Sequence, residues 1–288
     1  MAGPVAGGLL LRLELPGRGP VWGRHVPALR DEVELLSGDP LAGSAVPTGQ
    51  CLPLAWQAWE AGSEGRPRLL CPTVPSKIVA VGSNYHDHAR EMGKPLPAEP
   101  VLFLKPPSAL CRPGQAIVRP QGVARVDYEG ELALVIGRRM HRVTEQDALS
   151  YVLGYTALND VTARDLQRVD GQFARAKGFD TFCPLGPALV TDLTGLVDGS
   201  IWLRTRRNGA VVQDSSRDRF LFGPACLLAF ISHIMTLEPG DVVSTGTPAG
   251  VGPLEPGDVV EVEVAGLPPL RNPVIEGPPP LRLGRHGL

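Results

Sequence analysis

An α+β fold dominated by strands is what this sequence predicts, on three observations. Segments of strand length and composition outnumber helical ones. The chain holds 34 glycines and 30 prolines but only 5% aromatic residues, which suits many short elements joined by defined turns. At 288 residues, with 43% apolar and 20% charged, it has core enough for one large domain or a small domain plus a larger one.

The elements follow in chain order. The stretch LLLRLEL (9–15) alternates from Leu11 onward as a half-buried strand does, and residues 22–25 read as its hairpin partner. A short helix is predicted over 54–61. Pro72 and Pro75 punctuate a boundary before KIVAVG (77–82), a buried strand. The division is a small β-rich N-terminal domain, 1–72, and a larger domain, 73–288. In the latter, strands are predicted at 101–104, 129–136, 188–190, 201–207 and 259–264, and helices at 84–92, 145–150, 162–169 and 224–235. The heptapeptide LEPGDVV occurs at 237–243 and again at 254–260. Pro-Gly fits the centre of a type II turn, so each copy reads as a turn feeding a strand, the pair as consecutive hairpin turns. The tail from Gly277 reads as extended and peripheral.

Composition excludes several classes. A net charge of −2 gives no general field for nucleic acid or anionic lipid. Apolar runs such as 226–231 fall far short of the ~20 residues that span a bilayer, so a membrane protein is excluded on this reading. The five cysteines, at 51, 71, 111, 183 and 226, form no C-x-x-C pair, which argues against a disulfide framework and a structural zinc site. No basic region precedes the short apolar run near the N-terminus, and the expectation is a reduced, cytoplasmic protein. There is no dinucleotide fingerprint, phosphate-binding loop or G-x-S-x-G elbow. Only Lys77, Lys94, Lys105 and Lys177 are lysines among 28 basic residues, so each retained lysine is worth a question.

Three segments carry chemistry. On a strand through VDYEGELALVIG (126–137), Glu129 and Glu131 share a face with Ala133 and Val135. Two carboxylates aimed into apolar surroundings repel unless protonated or neutralised by a cation, and hard oxygens favour Mg²⁺, Mn²⁺ or Ca²⁺. Two solvated acids at a strand end explain that motif as well. Asp160 lies just before TARD (162–165), which has the pattern of a capping box, and so sits in a strand-to-helix turn. There it is either a ligand or a turn-stabilising Asp. In SNYHDHAREMG (83–93), Asn84 reads as a helix cap and Gly93 as its stop. His88 and Glu91 are then i,i+3 neighbours, able to act as a base pair or simply to cover an exposed polar helix. A metal motif built on His86, His88 and Glu91 fails on spacing.

Taken together, six pieces resemble the fumarylacetoacetate hydrolase family, in its smaller acylpyruvase-like bacterial branch. They are VGSNYHDHAREM (81–92), PVLFLKP (100–106), DYEGEL (127–132), NDVTARDLQ (159–167), AKGFD (176–180) and TGTPAGVGP (245–253). They stand in the family's order and cover roughly residues 76–275.

The resemblance implies a mixed-sheet roll and a homodimer. It implies Glu129, Glu131 and Asp160 as ligands of Mg²⁺ or Mn²⁺, with Ca²⁺ a further candidate, and His88 with Glu91 as a water-activating dyad on a lid helix. Lys177 matches an active-site lysine, which the residues alone would have left on the surface. Gln167, Gly246 and Thr247 match substrate contacts, the Gly-rich turn offering its N–H groups to a carboxylate or simply closing a hairpin. The implied reaction is hydrolysis of a C–C bond in a 2,4-dioxo acid through a metal-stabilised enolate. Oxaloacetate decarboxylation and 2-hydroxyhepta-2,4-diene-1,7-dioate isomerisation are alternatives on the same site, and a non-catalytic small-molecule binding protein is the alternative of another class. Some acylpyruvase-like members carry a basic residue where this chain has Ser83, which leaves the substrate open. Three converging carboxylates with no paired cation would make a metal-free site electrostatically strained.

Overall fold

Alternation along Gly130–Ile136 organises the fold. Leu132, Leu134 and Ile136 enter one apolar cluster while Ala133 and Val135 enter another on the opposite face. A strand buried on both faces needs a covering layer on each side, and both layers are present. The structure is a computed structural model that describes residues 7–91, 95–216 and 219–278, with the side chains of His88 and Ala89 outside that description.

Among the described residues the strand lies in a twelve-stranded sheet. Its main path runs Val46–Pro53, Glu32–Ser37, Gly19–His25, Leu9–Leu15, Cys183–Val190, Val152–Asn159, Gly130–Ile136, Val242–Ser244, Ile78–Gly82, Val101–Lys105. Most pairs are antiparallel; Val242–Ser244 runs parallel to Ile78–Gly82. A five-stranded sheet packs over one face, bringing Leu203, Val262, Val264 and Leu270 against Leu132 and Leu134, and helix Pro224–Ile234 adds Leu228 and Ile231. The fold is the strand-dominated α+β mixed-sheet roll.

At the N-terminus, Leu11, Leu13 and Leu15 bury against Val33, Leu35 and Trp59, as the alternation requires. Each fully buried Leu contributes about 1.5–3 kcal/mol. Leu9 and Leu10 pair with Val190 and Leu189, so the sheet continues without a break from this unit into the rest of the chain.

Three local expectations change. Both LEPGDVV copies are turns feeding strands, with Gly240 at φ +90° and Gly257 at φ +95°. They are not consecutive hairpins, because Val242–Ser244 belongs to the large sheet and Val259–Val264 to the five-stranded one. The predicted capping box does not form: Thr162 is in a short strand, its hydroxyl donating to Asp160 O (2.8 Å), and helix Arg164–Asp170 starts later with no side-chain cap. Strand pairing of Thr162 with Asp127 takes the backbone the cap needed. Asn84 is not a cap for helix His86–Glu91. Its side chain instead bonds Thr245 O (2.7 Å) and both Phe222 O and Phe222 N–H (3.0 and 2.9 Å). The predicted stop at Gly93 and the tail beyond residue 278 lie outside the described residues.

Candidate active site

Antiparallel register builds the carboxylate cluster. Gly130 pairs with Asn159, which sets Glu129 opposite Asp160 at the strand ends. The Asn159 side chain accepts from Glu129 N–H (2.9 Å), and Asp160 N–H donates to Glu129 O (2.8 Å). Ala133 pairs with Ser244 on the other side, which sets Glu131 opposite Gly246. Gly246 N–H donates to Glu131 Oε2 (2.9 Å), and the Ser244 hydroxyl donates to the same oxygen. Glu129, Glu131 and Asp160 are all buried and offer oxygens within 4.8 Å of one another. The reading of two solvated surface acids is thereby excluded.

Cations enter this cluster, contrary to the expectation of three carboxylates without a paired charge. Lys177 Nζ bonds Glu129 Oε2 (2.8 Å) and Asp160. Lys105, a fully buried lysine, donates to Asp160 Oδ1 (2.6 Å) and to Lys177 O (2.7 Å). Arg164 donates to Asp127 Oδ2 (2.8 Å) and to Glu129. A buried charge is tolerable only when paired, and these pairings supply what burial takes away. Sequence reading left Lys105, Arg164 and Asp127 without a role. The bonds that tie Lys105 and Arg164 to the carboxylates span 35 or more residues, and only the scarcity of lysine flagged Lys105.

The pairing sets the protonation chemistry. Burial pushes the Glu131 carboxyl well above the ordinary range, and the charges of Asp160 and Glu129 push it further. Its bonds among the described residues come from the neutral donors Ser244 and Gly246. For Lys177, burial lowers the ammonium's affinity for its proton. Asp160 and Glu129 outweigh that and hold it above the usual lysine value. Lys177 is thus a charged donor at neutral pH, and it also lies 4.8 Å from the centre of the Phe103 ring.

The other expected residues divide. Gln167 and Thr247 line the same cleft as the three carboxylates and Lys177. Gln167 Oε1 accepts from Arg164 (3.1 Å). Gly246 gives its N–H to Glu131 rather than presenting it to the cleft, and Thr247 donates to Gly130 O (2.9 Å). Glu91 stands outside that lining, its carboxylate accepting from Gly250 N–H (3.1 Å). His88 lies on the same helix, but its side chain is outside the described residues. A larger cavity of about 570 Å³ opens between residues 40–45 and 150–153. It is lined by no carboxylate, so size and chemistry point to different places, and the carboxylates decide.

The donor set fits a hard divalent cation. Three buried carboxylates converge, and one of them, Glu131, receives only neutral donors among the described residues while burial and its two neighbours raise its proton affinity. Glu129, Glu131 and Asp160 are the residues that could hold a divalent ion preferring oxygen ligands.

Residues 77–275 match the family model described as fumarylacetoacetate (FAA) hydrolase C-terminal. The oxaloacetate tautomerase fahd2 of Xenopus laevis, a mitochondrial protein, is 44% identical over 217 residues, which is 72% of this chain and 68% of that one. The 5-carboxymethyl-2-hydroxymuconate delta-isomerase of Mycobacterium smegmatis superposes with a TM-score of 0.81 at 42% identity, covering 93% of this chain and 100% of that one. A fumarylacetoacetate hydrolase from Exiguobacterium antarcticum does so with a TM-score of 0.75 at 34% identity, over 94% of this chain and 100% of that one.

Proposed function

From the premise that the chain belongs to the fumarylacetoacetate hydrolase family, we propose that it is a divalent-metal-dependent hydrolase of a C–C bond in a 2,4-dioxo acid. The observation that carries this is the buried convergence of Glu129, Glu131 and Asp160. A cation held there supplies Lewis acidity, favouring the enolate of the 2-oxo acid. Lys177, charged and buried at the same cleft, is placed to donate to an oxyanion that develops beside it. His88 and Glu91 stand at i,i+3 in the sequence of helix His86–Glu91, and this reading assigns them the pair that would take a proton from water. Gln167 and Thr247 shape the cleft wall and orient the substrate. Five free cysteines accord with a reduced, cytoplasmic setting, and a homodimer belongs to the same reading.

A second reading is favoured by the relatives' activities: keto–enol tautomerisation or double-bond isomerisation of a 2-oxo acid. Both need the same enolate but no water. One panel separates them, with acylpyruvates, oxaloacetate and a 2-hydroxy-dienedioate as substrates, each with Mn²⁺ and with EDTA. Metal-dependent release of pyruvate from an acylpyruvate supports hydrolysis. Proton exchange or double-bond migration without cleavage supports the second reading. Turnover of none of them sinks both.

A further inference from the structure

The loop 245–250 touches both halves of the site, and one residue outside every expected motif holds it. Gly246 N–H reaches Glu131 at one end of the loop, and Gly250 N–H reaches Glu91 at the other. Between them stands Gln213, on strand Ala210–Ser216 of the five-stranded sheet, the one buried residue of a strand otherwise exposed or half-buried. Its Oε1 accepts from Gly130 N–H (3.0 Å), the residue between Glu129 and Glu131. Its Nε2 donates to Thr247 Oγ1 (2.8 Å) and Pro248 O (2.9 Å). Thr247 in turn donates to Gly130 O (2.9 Å), which closes a ring of bonds between the carboxylate strand and the loop.

We propose that Gln213 is a positioning residue that fixes Glu129 and Glu131 for the metal and ties them, through loop 245–250, to the helix bearing Glu91. A buried amide is costly unless satisfied, and this one spends all three of its bonds on one joint. An apolar side chain of equal length would keep the packing and release the joint. The proposal rests on the metal-site reading above, so the wild-type protein must first bind Mn²⁺; failure there defeats that reading, not this one alone.

The test uses the full chain with Gln213→Met. Mn²⁺ affinity is measured by calorimetry, and hydrogen exchange of the 245–250 segment is followed with and without Mn²⁺. The expected result is an affinity loss of about tenfold, the size usual for partners that orient metal ligands. Exchange in the loop should be faster, and the melt of the metal-free protein should fall as well, because Gly130 N–H and Pro248 O lose their buried partner. A purely structural role would lower the melt and leave Mn²⁺ affinity within twofold of wild type, and that outcome overturns the proposal. If Gln213→Met does not fold, Thr247→Val removes the acceptor of one Gln213 bond and is read by the same two criteria.

Discussion

Replacing Gly130 by alanine should break the site from within. A Cβ at this position would lie 2.0 Å from Thr205 Oγ1 and 3.2 Å from Gln213 Oε1, and Thr205 is fully buried. Ordinary carbon contacts begin beyond about 3.4 Å, so strand or side chain must shift by more than ~1 Å; overpacking of that kind costs about 1–3 kcal/mol. Gly130 does not adopt a positive φ, so the penalty is steric and not conformational. The shift also displaces the backbone between Glu129 and Glu131, so Mn²⁺ affinity should fall together with stability. Thr205→Ala supplies the control. Its hydroxyl has no hydrogen-bond partner among the described residues, so the single variant should lose only ~1 kcal/mol for the missing methyl. In the double variant the nearest remaining neighbours of the new Cβ stand at 3.2 and 3.4 Å. Urea unfolding should therefore show the double variant more stable than Gly130→Ala, a coupling of at least ~1 kcal/mol. A Gly130→Ala protein as stable as wild type, or no recovery on adding Thr205→Ala, refutes the steric account.

Asp241 accepts from Ser76 N–H and Oγ (3.0 and 2.7 Å), Lys77 N–H (3.1 Å) and Glu238 N–H (2.8 Å), and pairs with the Lys77 ammonium. Burial would raise its proton affinity, but Lys77, Glu238 and Ser76 hold the carboxyl below its ordinary value. Its contribution is therefore present above the unfolded value of about 3.9 and lost as pH falls through the lowered native one. Asp241→Asn should cost roughly 2 kcal/mol at neutral pH, with the gap to wild type closing in acid-titrated melts; a pH-independent gap contradicts the assignment. Burial pushes the thiols of Cys71 and Cys183 up to about 12, and that of Cys111 up as well. Thiol titration should find five groups after denaturation without reductant, and in the native protein Cys51 and Cys226 should react before the other three. Glu91→Gln should lower acylpyruvate hydrolysis by ~10²–10⁴-fold while any oxaloacetate decarboxylation falls far less, since only hydrolysis needs an activated water. Equal losses on both substrates would remove Glu91 from water activation.

What could be read from the chain follows the reach of each signal. Period-two alternation located Gly130–Ile136 and set Glu131 on the same face as Glu129 just before it, and the family's motifs joined Asp160 to them. The turns of LEPGDVV were legible because Pro-Gly acts locally, whereas the partner strands of each copy are chosen by distant packing. Thr162 and Asn84 look like caps by type, yet strand pairing with Asp127 claims the backbone of the first and a bond to Thr245 O the side chain of the second, and no local pattern records either. The same holds for Arg164 and Lys105: a salt bridge spanning 35 to 55 residues leaves no periodic trace. Gln213 was invisible for a further reason, since the rest of its strand is exposed or half-buried and polar residues are ordinary there.

The central claim is that Glu129, Glu131 and Asp160 hold a divalent cation, and calorimetric titration of the purified full chain with Mn²⁺ tests it most directly. Wild type should bind one Mn²⁺ per chain. Glu131→Gln, which keeps shape but removes the charge whose bonds come from Ser244 and Gly246, should weaken binding by ~10²-fold or more, beyond the loss typical of outer partners. Wild-type protein that binds no Mn²⁺, or a Glu131→Gln protein that binds it as tightly as wild type, would contradict the account.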